Sequence, residues 1–225
     1  MAITEVGGGT QRASTDSGAT SLAYPGNVTS GSLLVVSGTT YLSTGNPSIT
    51  GVTDTLGTSY TVVNGAVVAN LEKRPFIAWG FAPSSGANTP AVTVTGVMVL
   101  LAIDEFAGVA SADVNGGSST GTSTTPSDAI TPTATNALLV GALAADATST
   151  VTVGSGFTQI GETEGNPAAG VEFQIVTTAQ AYTVDWTLGT SRDWSAQTYS
   201  FTPSNGGVGG PVKTGRRSAL FGVGR

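Results

Sequence analysis

A strand pattern written twice constrains this chain more than any other feature. SLLVVS (Ser32–Ser37) returns as ALLVGAL (Ala137–Leu143), and Gly57-Thr58-Ser59 returns as Gly156-Phe157-Thr158. FIAWGFA (Phe76–Ala82) is echoed by VEFQIVT (Val171–Thr177), and Ala91–Thr95 by YTVDWTL (Tyr182–Leu188). Val97–Phe106 has its counterpart in DWSAQTYSF (Asp193–Phe201). The spacing drifts from about 105 to about 90 residues, as expected when loops change length around one strand order. Each stretch is short, rich in β-branched or aromatic residues, and bounded by Gly, Asn, Asp or Pro, the marks of strands and tight turns. No segment sustains a 3.6-residue apolar period, so helices should be few and short. The pattern predicts an all-β fold: an antiparallel β-sandwich, jelly-roll-like or immunoglobulin-like, built from two related halves with extended N- and C-terminal arms. The halves could form one double-sheet sandwich or two small sandwiches in tandem.

Turn signals divide the chain into an N-terminal arm and first strand (1–20), a first β half (21–108), a polar segment (109–136), a second β half (137–203) and a basic, Gly-rich tail (204–225). The segment 109–136 reads either as a solvated linker or as an ordered arm along a sheet edge. Ile49–Val52 and Ser59–Val63, joined by Asp54–Gly57 and closed by Asn64-Gly65, have the shape of a hairpin. Val92–Phe106 is the longest nearly uninterrupted apolar run. At 15 residues it is shorter than the roughly 20 that a membrane helix needs, and its β-branched content favours a strand.

The residue inventory limits the chemistry. The chain of 225 residues has no Cys and no His, which removes thiol nucleophiles, imidazole bases and the common zinc ligand sets. Serines are abundant, but there is no imidazole to activate one. The Gly-rich stretches Gly7–Gly9 and Gly206–Gly210 lack the Lys-Ser/Thr of a phosphate loop. Asp146, Glu162, Glu164 and Glu172 do not follow the spacing of a calcium loop. Asp104 and Glu105, adjacent on one strand, point to opposite faces and cannot act as a facing acid–base pair; the expectation is that the pair ends the strand, with one of the two at the surface. Catalytic residues, cofactors and metal ligands are therefore none.

Charge is unevenly placed. Residues 1–203 hold all 14 acids against Arg12, Lys73, Arg74 and Arg192, a net of −10, whereas 204–225 hold Lys213, Arg216, Arg217 and Arg225 and no acid, a net of +4. An acidic body argues against nucleic-acid binding through its surface. The start, MAITEVGGGT, has neither the basic nor the apolar region of a secretory signal. The tail carries an apolar cluster behind its basic pair. In a docking reading, Lys213, Arg216, Arg217 and Arg225 seat against carboxylates, while Leu220, Phe221 and Val223 fill an apolar pocket on a partner. A second candidate surface is aromatic: Trp79, Trp186, Trp194 and Tyr199 could stack on carbohydrate, which requires at least two of these rings to be exposed and coplanar.

Several stretches, SGSLLVV (Ser30–Val36), ITGVTDTLGTSYTVV (Ile49–Val63), FIAWGFAP, ANTPAVTV and IDEFAGV (Ile103–Val109), with NALLVGAL, GFTQIGE and WSAQTYSF from the second half, resemble Gly/Thr-rich β-sandwich structural proteins of tailed-bacteriophage virions. The basic, Gly-punctuated end GRRSALFGVGR is similar to the ends of some phage structural proteins. The resemblance covers about residues 20–203 and implies a virion component without catalytic residues. Such a component would be assembled in the host cytoplasm and attached to capsid or tail as a decoration, head fibre or spike subunit. Its partners would be other virion proteins and copies of itself. The alternative is a carbohydrate-binding or receptor-adhesion module.

Overall fold

A computed structural model describes residues 1–6, 19–68 and 72–204, together with the backbone of 12–14. The first half contains β1 (Thr4–Glu5), β2 (Arg12–Ser14), β3 (Asn27–Val28), β4 (Leu33–Tyr41), β5 (Ser48–Thr53), β6 (Thr61–Asn64), β7 (Lys73–Phe81), β8 (Gly86–Ala87), β9 (Ala91–Thr95) and β10 (Val97–Ala107). The second contains β11 (Val109–Ser123), β12 (Ser127–Ile130), β13 (Leu138–Ala145), β14 (Val151–Val153), β15 (Thr158–Thr163), β16 (Ala168–Ile175), β17 (Tyr182–Leu188) and β18 (Arg192–Pro203). The described residues are all-β, and every strand pair is antiparallel. No helix among them is long and apolar enough to cross a membrane.

The duplication is visible in the strand order. The first large sheet runs β1-β10-β4-β7-β6, with β2 also on β10, and the second runs β11-β18-β13-β16-β15. Each half adds a small sheet, β5-β9 in the first and β12-β17-β14 in the second, and β3-β8 forms a short ribbon. The halves correspond residue by residue through the ladders. Phe106, Leu33 and Phe81 lie in one row, matched by Phe201, Leu138 and Ile175. The next core-facing row, Asp104, Val35 and Trp79, is matched by Tyr199, Val140 and Phe173.

The two large sheets face each other in one β-sandwich, each half contributing one sheet, so the double-sheet arrangement is the one formed and two tandem sandwiches are not. Leu33, Val35, Leu100 and Phe106 meet Leu138, Val140, Phe173 and Phe201 in one shared core. The outer face of the first sheet buries Val36, Phe76, Leu101 and Ile103 against Ile49, Val52 and Val92 of β5-β9. The outer face of the second buries Leu139, Leu143 and Ala145 against Val184, Trp186 and Leu188. The result is four layers, small–large–large–small. It explains why β4 and β13 read as unbroken apolar runs: both of their faces are covered, so nothing selects polar residues at alternate positions.

Three local expectations meet the structure differently. The segment 109–136 is not a solvated linker; it is ordered and lies along a sheet edge, the second of its two readings. Its first fifteen residues form β11, the edge of the second large sheet, and Ser127–Ile130 form β12. Val92–Phe106 is broken at Gly96, where φ is +106° and a Cβ would lie 2.3 Å from the Tyr41 carbonyl oxygen, so the chain leaves the small sheet as β9 and enters the large one as β10. Asp54–Gly57 does not close a hairpin: β5 pairs with β9 and β6 with β7, and the Asn64 amide ties β5 to β6 by bonding both Ile49 N–H (2.9 Å) and Ile49 C=O (2.9 Å).

Candidate functional site

Met1 and Ser204, the first and last described residues, define one pole of the molecule. The Met1 ammonium donates to the Ser204 carbonyl, and Ser204 N–H donates to the Gly108 carbonyl at 2.6 Å. Gly108, at φ +76°, sits so close to the N-terminal strand that a Cβ would be 2.2 Å from the Ala2 carbonyl oxygen. Val6 N–H closes the group on the Glu105 carbonyl at 2.8 Å. The N-terminus, the β10–β11 junction and the end of β18 are thus knotted together where the tail begins. An open depression of about 950 Å³ flanks the knot, lined by Met1, Ala110, Thr133, Ala179 and Pro203 among others and, among the described residues, by no charged side chain. The tail positions Lys213, Arg216, Arg217, Leu220, Phe221, Val223 and Arg225 lie outside the described residues.

The aromatic candidates do not form a stacking platform. Trp186 is fully buried in the outer core of the second half, where Gly141 and Gly170 leave room for its indole. Trp194 is 7% exposed and donates from Nε1 to Ser123 Oγ at 3.0 Å. Trp79 and Tyr199 are half-buried against the shared core, 5.9 Å apart with their planes 47° from parallel. Trp79 also meets Phe201 edge-on at 5.7 Å, and the corresponding contact in the other half is Phe106 on Phe173 at 5.0 Å. These rings pack the halves together, and the exposed coplanar pair that sugar stacking requires is not formed.

The acids depart furthest from expectation. Asp104 and Glu105 do point to opposite faces, but both are buried, at 3% and 5% exposure, and β10 continues past them through Phe106 and Ala107. Glu105 accepts Thr29 N–H at 2.8 Å on the small-sheet side. Asp104 lies on the shared-core side, in register with Leu100, Ala102 and Phe106. Its Oδ1 accepts Glu105 N–H at 2.8 Å, whereas Oδ2 is buried with no partner among the described residues. Burial, followed by the charge of Glu5, pushes this carboxyl up to about 8. Glu172, fully buried on β16, has the same character: Oε2 accepts Gly154 N–H at 3.0 Å, Oε1 has no partner among the described residues, and burial pushes the group up to about 8.

Asp54 behaves in the opposite way. Burial acts to raise it but is outweighed by hydrogen bonds from Thr58, Asn88 and Tyr60, so the net shift is downward. Its carboxylate closes the β5–β6 connection by accepting Leu56 N–H (3.1 Å), Thr58 N–H (2.9 Å), Tyr60 O–H (3.0 Å) and Asn88 Nδ2–H (2.8 Å). The equivalent turn in the second half has no such acid, and there Glu172 reaches in from β16 to bond Gly154. Asp146, Glu162, Glu164 and Glu172 do not converge, and no group of three potential metal-ligating side chains occurs among the described residues.

The chain matches no family model, no curated protein and no solved structure.

Sequence reasoning missed the buried acids, although a signal was present. In MAITEV, the alternation that turns Ile3 into the core turns Glu5 the same way, and in LLAIDEF the Asp lies two residues before the core Phe106.

Proposed function

We propose that this chain is a non-enzymatic structural component of a phage-like virion, held on capsid or tail as a decoration, fibre or spike subunit through its terminal segments. The observation that carries the reading is the pole. Because the Met1 ammonium meets the Ser204 carbonyl, the N-terminus and the root of the +4 tail start from one place on a body whose net charge is −10. Both segments can then engage one partner surface, with the rest of the four-layer body turned away. Weak contacts of this kind, repeated over a symmetric lattice, gain avidity without any single tight site. The virion setting itself rests on the resemblance of the strand wording and of the basic end. The test is removal of Gly206–Arg225, followed by co-sedimentation of the truncated chain with its particles. Occupancy should fall at least tenfold while the body stays folded; full occupancy of the truncated chain would refute anchoring by the tail.

A further inference from the structure

Two carboxyls stand where the pattern calls for apolar side chains. Ile3 and Glu5 share a face of the N-terminal segment, and Asp104 shares a face of β10 with Leu100, Ala102 and Phe106; Glu5 pairs with Phe106, which sets it diagonal to Asp104. Both belong to the face that packs into the shared core. Glu5 Oε1 and Asp104 Oδ2 are each buried without a hydrogen-bond partner among the described residues. The duplication supplies a comparison: the second half fills the position of Asp104 with Tyr199, whose ring packs on Trp79 and Phe201. A ring is therefore compatible with this register, and the first half carries an acid there instead. Local departures of this kind, with no compensating partner, are characteristic of switches and sites.

We propose that Glu5 and Asp104 form a proton-dependent latch: a proton on Asp104, beside Glu5, keeps β1 on the edge of β10, and its loss to solvent frees the N-terminal strand and the Met1–Ser204 clasp. β1 is suited to release. It is two residues long, and among the described residues it pairs with β10 alone and is tied to β10 beyond the ladder by one bond, from Val6 N–H to Glu105 C=O. Once Asp104 is ionised, its charge lies beside Glu5 on a low-dielectric face, and peeling β1 away rehydrates both side chains.

Other titratable groups surround the pair. Glu105 follows on the same strand, with its carboxylate on the opposite face against Thr29. Tyr24 donates from its hydroxyl to the Asp104 carbonyl at 3.1 Å. Arg12 of β2 lies opposite Ile103 on β10. β15, which packs on β10, brings Glu162, and β16 brings Glu172, whose carboxylate is bound to Gly154. The sign follows from Asp104 being held above its ordinary 3.8, at about 8. The closed latch is fully stabilised below pH 4, loses stability as pH rises toward 8, and changes no further above it. The device is independent of the virion reading and stands or falls on the free chain.

Hydrogen exchange of the full-length chain from pH 5 to pH 9, corrected for the intrinsic rate, tests it at the Val6 amide. One released proton predicts an opening constant that rises by up to about tenfold per pH unit and levels off near pH 8. It should exceed the opening constant of the β13 amides, which report global unfolding. Asp104→Asn should abolish the rise, and Glu5→Gln should reduce opening at pH 8 at least threefold. A total rise below tenfold from pH 5 to 8, opening at Val6 equal to that of β13, or an Asp104→Asn profile that follows the wild type would each overturn the latch. If Asp104→Asn does not fold, Glu5→Gln decides: exchange like the wild type at pH 8 overturns it.

Discussion

Replacing Glu172 with Gln should make this protein more stable at neutral pH, although a buried charged side chain might be read as a structural anchor. Glu172 is fully buried, uses one oxygen to accept Gly154 N–H, and is held at about 8 against an ordinary 4.5. A folded-state pKa above the unfolded one means that folding takes up a proton between those values. Stability is therefore greatest below pH 4.5, falls as pH rises, and levels off above 8. At about 1.4 kcal/mol per pH unit, the protonation cost at pH 7 is roughly 3 kcal/mol, and at pH 9 roughly 5 kcal/mol. Gln keeps the acceptor for Gly154 and has no proton to exchange. Asp104 adds a second slope of the same sign, so the wild type should lose roughly 3 kcal/mol of stability per pH unit between pH 5 and 7, and Glu172→Gln about half of that. Urea denaturation at pH 5, 7 and 9 reads both slopes. Wild-type stability that is flat across this range, or a variant with the wild-type slope, would refute the reasoning.

Two further substitutions test other parts of the fold. Gly38 lies at φ +149° beside the β10 bulge, where a Cβ would fall 1.8 Å from the Leu100 carbonyl oxygen; Gly38→Ala should cost about 3 kcal/mol or more, and an unchanged Tm would contradict this placement. Asp54→Ala removes the acceptor of four hydrogen bonds and should cost roughly 2–3 kcal/mol at pH 7 by chemical denaturation. Because Asp54 is held below its ordinary value, the stability it gives is present above pH 4 and lost as pH falls below it, so the variant should show a shallower acid limb than the wild type.

The sequence made the duplication legible because the inner strands repeat both their composition and their order. Phe106 and Phe201, paired by wording alone, occupy equivalent rows of the two large sheets. The stacking of four layers was not legible. Covered on both faces, SLLVVS and ALLVGAL lost the alternation that would have told one neighbouring layer from another. The hairpin expectation for residues 49–65 failed because turn residues specify a change of direction and leave open whether the next strand stays in the same sheet. β11 was hard to place for a related reason: as an edge strand with half-exposed Ser, Thr and Gly, it buries too little apolar surface to read as a strand. Carboxylates ordinarily stay at the surface, and what buries Asp104 and Glu105 lies outside their own strand: the second large sheet packs on the Asp104 side of β10, and the segment carrying Thr29 covers Glu105 on the other.

Electron cryomicroscopy of the assembled particle, with this chain located in the density, tests the central claim most directly. The account predicts copies at symmetry-related positions on the capsid or tail, each with its Met1–Ser204 pole against the particle and its four-layer body projecting outward. Particles that lack the chain, or that carry it with this pole turned to solvent, would contradict the account.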